Sequence, residues 1–174
     1  MCRVAYQNLQ RLDLAYEPEP ASSPSFQAIR TPDEIEANRT ANCLDLACLL
    51  AGIFEAALQA PIIVVVDGPE FAHALVGIRN RIEPAWRDAT IGDLRREVDR
   101  GSAVFFEPTG IVQTDTPVMD ETAEERREKV LDFATAQLVA KRTIGRDDIQ
   151  LRHIVDVECL RRDPQSQYHR RDGH

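Results

Sequence analysis

The stretch Arg39–Leu58, RTANCLDLACLLAGIFEAAL, decides how this chain is read. From Leu44 to Leu58 it is apolar almost all round, broken only by Asp45, Gly52 and Glu55. A helix of that composition must be buried on most of its faces, so it is expected to be the central helix of a domain. Asn42 is among the best N-cap residues, and Asp45 stands three positions on, where a reciprocal capping partner belongs. Cys43 is thereby expected at the first helical position. Unpaired N–H groups and the positive end of the helix dipole favour an anion there, which draws a thiol toward its reactive thiolate and suits the same N–H groups to an oxyanion. The other reading is packing, because free cysteine is among the most buried residue types. Cys48, inside the apolar run, is read as core.

Outward from this helix the pattern changes. Ala60–Gly68, APIIVVVDG, is a β-branched run closed by Asp-Gly and is expected to be a buried strand. Phe71–Asn80, FAHALVGIRN, is expected to be its antiparallel neighbour. In it His73, Leu75 and Gly77 share one face, and Ala72, Ala74, Val76 and Ile78 the other. TPDEIEANR from Thr31 and TIGDLRREVDRG from Thr90 look like short capped helices, the first with Pro32 at its first position, the second with Gly101 as its stop. SAVFFEPTG, from Ser102, is expected to be a third strand; Met119 to Lys141 a long amphipathic helix; and Ile149–Arg162, IQLRHIVDVECLRR, a last strand. The segment before Asn38 contains EPEPASSPS, an extended loop. Strands in series without a helix in each crossover favour an antiparallel sheet, so the expected class is α+β, with the Cys43 helix packed on that sheet.

The bulk properties exclude several functions. With 174 residues and 43% hydrophobic content, a single domain over 1–162 is expected, followed by a polar, disordered tail over 163–174. The net charge of -8 leaves no basic field for nucleic acid or an anionic membrane. No continuous apolar region follows the N-terminus, and Leu46–Leu58 is shorter than the roughly 20 residues of a membrane span. The expected location is cytoplasmic. Four cysteines without a CxxC pair argue against disulfides and against zinc, and no Gly-rich phosphate loop points to a cofactor. No metal and no cofactor are expected.

A nucleophilic cysteine needs a base and a group that orients it. His73, in a strand among apolar neighbours, is the best placed of the four histidines, and Glu107 is an acid at the end of an otherwise apolar strand. Each also has a plain reading, His73 as a strand histidine satisfied by a carbonyl and Glu107 as a strand-end residue facing water.

NCLDLACLLAGIFEAAL, PIIVVVDG, HALVGI and FFEPTG, in this order, resemble the bacterial transglutaminase-like cysteine proteinase family, and AYEPEP resembles its lead into the cysteine. The resemblance runs from about Tyr16 to Glu158, with Ala41-Asn42 where the family usually has Gly-Thr. It implies a transglutaminase-like, papain-like fold, with Cys43 as nucleophile, His73 as general base and Glu107 as orienting acid; Asn42, a departure from the family, is expected from its own capping chemistry to support the oxyanion side of the helix start. The implied activity is thiol-dependent acyl transfer on an amide of a protein or peptide substrate: proteolysis, deamidation, amine cross-linking or deglycosylation. Loops 17–31 and 79–89, with Tyr16 and Trp86, would line the groove. The alternative is a degenerate transglutaminase-like domain that binds a protein segment within a larger multi-protein bacterial system.

Overall fold

In the computed structural model, residues 1–18, 28–69, 71–80, 86, 89–112 and 130–162 are described. Six helices and six strands follow one another among them: α1 (Cys2–Gln10), β1 (Ala15–Tyr16), α2 (Pro32–Asn38), β2 (Thr40–Ala41), α3 (Cys43–Ala56), β3 (Pro61–Gly68), β4 (Phe71–Arg79), α4 (Ile91–Arg100), β5 (Ala103–Phe106), α5 (Phe133–Gly145), β6 (Gln150–Asp156) and α6 (Val157–Arg162). A 3-10 turn, Pro108–Ile111, follows β5. The larger sheet has the order β5-β4-β3-β6 with every pair antiparallel. Helices and an antiparallel sheet make the chain α+β.

Both faces of this sheet are buried, which is why β3 is apolar without alternation. Ile63, Ala74, Val76 and Phe106 meet Leu46, Leu50 and Phe54 of α3 on one face. Ile62, Val64, Leu75 and Phe105 meet Leu94, Ala140 and Ile144 on the other. Burying one such large side chain contributes about 1.5–3 kcal/mol, so α3 is fixed to the sheet by packing more than by helix propensity. Trp86 belongs to the second face, 7% exposed and stacked on Phe105 with ring centroids 6.4 Å apart. It is core and lines no groove on the α3 side. No helix among the described residues is long and apolar enough to cross a membrane.

Two expected elements are corrected. The expected helix from Met119 to Lys141 overlaps α5 only from Phe133; residues 119–129 lie outside the described residues, and 130–132 are not helical. Asp132 is the reason, since its carboxylate accepts the Ala134 and Thr135 N–H groups as an N-cap, at 2.7 and 2.8 Å. Leu131 before it donates its N–H to the Gly110 carbonyl and buries its side chain. The expected last strand stops at Asp156, and the rest is α6. There the Asp156 carboxylate accepts both the Cys159 N–H at 3.0 Å and the Arg79 guanidinium at 2.7 Å, so the chain turns into a helix at that residue. EPEPASSPS from Glu17 and the tail over 163–174 lie largely or wholly outside the described residues.

Candidate active site

The start of α3 is fixed by a complete capping box. Asn42 Oδ1 accepts the Leu44 and Asp45 N–H groups, both at 2.9 Å, and Asp45 Oδ2 accepts the Asn42 N–H at 3.0 Å. Asp45 has no exposed side-chain surface, a position that is costly for a carboxylate without a partner. Arg30 supplies it, donating its backbone N–H to Oδ1 and its guanidinium to Oδ2, each at 2.8 Å. The same guanidinium reaches Glu17 at 2.8 Å, and Thr40 donates its hydroxyl to that carboxylate at 2.8 Å. Arg30 carried no signal in the sequence, because its buried partner lies fifteen residues away.

β5 pairs with the Val76–Arg79 half of β4, and among the described residues no strand pairs with that edge of β4 beyond Val76. Cys43 sits against this opening, near the Ala74 backbone N–H, which favours the thiolate. His73 and Glu107 come together at the same place. His73 Nε2 lies 2.9 Å from Glu107 Oε1 and 2.8 Å from Oε2, and the carboxylate is completely buried. Glu107 Oε1 also accepts the Thr109 N–H at 3.0 Å and its hydroxyl at 2.7 Å. The Glu107 peptide is held on both sides, its N–H by the Ala136 carbonyl at 3.0 Å and its carbonyl by the Tyr6 hydroxyl at 3.2 Å. Gly110 makes room for that hydroxyl, since a Cβ there would fall 2.5 Å from it. The Cys43 thiol is the other neighbour that acts on this imidazole, and each shifts the titration of the other.

The electrostatics follow from this enclosure. Burial alone would discharge His73, but the Glu107 charge and the hydrogen bonds to Cys43 and Glu107 outweigh it, and its pKa rises from 6.5 to about 10. Burial would likewise keep Cys43 a thiol; the hydrogen bond and charge of His73 and the Ala74 N–H reverse that and hold its pKa below the ordinary 9.0. The Glu107 carboxyl is pushed up by burial but held below 4.5 by His73 and Thr109. Cys48 experiences the opposite: burial, then the Asp45 charge, push it up to about 11. Proximity to the imidazolium separates these two cysteines of one helix.

The structure therefore brings Cys43, His73 and Glu107 together, with Asn42 as the cap beneath them. Such a set can generate a thiolate and hold a protonated imidazole beside it. His153 is exposed on β6 and paired across the ladder with Val65, away from this cluster. Tyr16, half-buried, lies against Cys43. Thr109 and Tyr6 had no expected role, although the sequence signal for Thr109 was present: an acid two residues before a threonine at a strand end. Among the described residues, no cluster of three or more His, Cys, Asp or Glu is arranged to hold a metal ion. Comparison with protein-family models, with curated proteins and with solved structures returns no match for this chain.

Proposed function

We propose that the chain is a transglutaminase-like, thiol-dependent acyl-transfer enzyme acting on amide bonds of a protein or peptide. The observation that carries this reading is the buried carboxylate of Glu107 on His73 Nε2, with Cys43 beside the same imidazole. A scaffold histidine has no need of a fully buried carboxylate on one nitrogen and a thiol beside the ring. The cost of burying both charges is offset only if they serve each other.

The Cys43 thiolate attacks the amide carbon, forming the S–C bond while the C=O π pair moves onto oxygen. The intermediate collapses as the His73 imidazolium gives its proton to the departing amine, leaving a thioester and a neutral imidazole. Water or an amine then attacks the thioester, and His73 takes the proton from it. Glu107 keeps the imidazole in one tautomer and stabilises its charged form throughout. Thr109 occupies the carboxylate oxygen lone pairs that would otherwise seek water.

The test is the Cys43 thiol itself. Iodoacetamide should alkylate it in the folded protein down to roughly pH 6, well below the ordinary thiol value of about 8.5, while Cys48 stays unlabelled. p-Nitrophenyl acetate should release a burst of nitrophenolate and leave one acetyl group on Cys43, read by intact and peptide mass. A thiol that labels only on unfolding sinks the enzyme reading and favours the protein-binding module.

A further inference from the structure

A buried carboxyl beside an imidazole has two ways to settle. Ionised, Glu107 can only accept, so His73 Nε2 must carry a proton and the ring is able to take a second one from the thiol. Protonated, Glu107 donates to Nε2, the ring stays neutral and Cys43 keeps its own proton. Glu107 has no exposed surface, and there the neutral pair avoids desolvating two charges. The histidine alone does not decide between them. The decision falls to whatever else touches the carboxyl oxygens.

Thr109 touches one of them twice. Oε1 accepts the Thr109 N–H at 3.0 Å and the Thr109 hydroxyl at 2.7 Å, beside His73 Nε2 at 2.9 Å. The backbone contact caps the 3-10 turn Pro108–Ile111, whose N-cap is Glu107 itself. A cap is complete with that N–H. The hydroxyl makes a second, shorter bond to the same oxygen, from a side chain in a residue only 4% exposed. The turn is held on both sides: the Val112 N–H closes on the Thr109 carbonyl at 3.2 Å, the Leu131 N–H on the Gly110 carbonyl at 2.9 Å, and the Tyr6 hydroxyl reaches the Glu107 carbonyl over Gly110. Two donors on one oxygen favour the carboxylate over the acid and fix its orientation. The titratable groups that share its surroundings are Tyr6 from α1, Tyr16 from β1, Cys43 from α3 and His73 from β4, with Asp132, the cap of α5, acting on Tyr6. Both phenols are pushed above their ordinary 10.0, chiefly by burial, and stay neutral.

Resting on the acyl-transfer reading, we propose that Thr109 is a positioning residue of the site, whose hydroxyl on Glu107 Oε1 keeps the acid ionised and thereby keeps the imidazole able to take the Cys43 proton. Thr109 acts on the thiol through two intermediaries, Glu107 and His73. Its hydroxyl extends thiolate reactivity further into acid than the histidine and glutamate would sustain alone.

The pH profile of Cys43 alkylation by iodoacetamide, measured on the full chain, separates this from a role in folding. Thr109→Val keeps the shape, removes the hydroxyl and leaves the backbone N–H in place; Thr109→Ser restores the hydroxyl without the methyl group. In Thr109→Val the acid limb of the profile should move up by about one pH unit, the scale set by one hydrogen bond to a charged group, with the plateau at higher pH retained. Thr109→Ser should follow the parent. Cys48 protected from label reports an intact fold in each case, and if Thr109→Val exposes it, Thr109→Ala, which also lacks the hydroxyl, is read in the same way. An acid limb that stays with the parent in the folded hydroxyl-free variant, or that moves equally in Thr109→Ser, overturns the proposal and leaves the triad reading in place. A parent Cys43 that labels only on unfolding overturns the two together.

Discussion

The starts of α3 and α4 are built alike. Asn42 with Asp45, and Thr90 with Asp93, each make a complete capping box in which the first side chain accepts an N–H of the first turn and the acid accepts the N–H of the cap. Around α4 the device is exposed: Thr90 and its partner face solvent, and the Asp93 carboxyl, held below its ordinary value by Thr90, is paired with the exposed Arg96. Around α3 the same device is buried, its acid neutralised by Arg30, with a histidine, a glutamate and a tyrosine closing over the next residue. A capped helix start organises N–H groups wherever it occurs. The two starts differ in which charges the rest of the fold places beside them.

The comparison breaks most completely at His73. His73→Gln, which retains a donor for the buried Glu107, should lower acetylation of Cys43 about 10³-fold, the upper range for losing a general base. Its alkylation at pH 6 should drop about 10²-fold, because an unassisted thiol of pKa about 8.5 is almost wholly protonated there. His153→Ala should change neither rate. Glu107→Gln comes next, with acetylation expected to fall about 10²-fold. It should also erase a signed pH dependence of stability. The His73 pKa is raised from 6.5 to about 10, so its contribution is complete below 6.5 and is lost as pH rises toward 10. That of Glu107 is lowered from 4.5, so its contribution is complete above 4.5 and is lost as pH falls through its folded value. The melting temperature of the parent, as far as this pair governs it, should be highest between 4.5 and 6.5; in Glu107→Gln both flanks should flatten.

A smaller effect belongs to the cap itself. Asp45→Asn leaves Arg30 facing a neutral amide and should cost about 2–3 kcal/mol in urea unfolding, with less than tenfold loss of alkylation rate. Thr90→Ala, the corresponding change at α4, should cost about 1 kcal/mol and leave every reaction of Cys43 unchanged. Equal effects of the two cap substitutions on Cys43 would mean that the α3 cap contributes nothing specific to the site.

Local chemistry made much of this legible. The caps of α2, α3 and α4, the Gly101 stop, and the β3–β4 hairpin depend on residues within a few positions of one another, and each element lies where its pattern placed it. The same holds for Cys43 at the first position of α3. The misread elements depend on partners distant in sequence. Nothing near Leu131 announces that its carbonyl will accept from Gln10, and nothing near Asp156 announces Arg79, yet these contacts help set where α5 and α6 begin. α1 was not foreseen, since its buried residues, Tyr6 and Leu9, make too short an apolar stripe to distinguish it from loop. His73 and Glu107 were found as residue types in a suggestive order. Their proximity to Cys43 depends on β5 ending at Phe106 and opening the edge of β4, which no local pattern encodes.

The grip on the Glu107 peptide has a consequence for the order of events during synthesis. Cys43, His73 and Glu107 all precede Ala136 in the chain, but the Glu107 N–H waits for the Ala136 carbonyl, and its own carbonyl accepts from Tyr6, 101 positions earlier. A ribosome-bound chain that has just exposed the glutamate therefore holds all three side chains without the clamp that keeps the acid buried against the imidazole. Until α5 docks, water competes for the carboxylate and weakens its hold on the imidazole. On the acyl-transfer reading proposed above, the centre is complete only once α5 has docked.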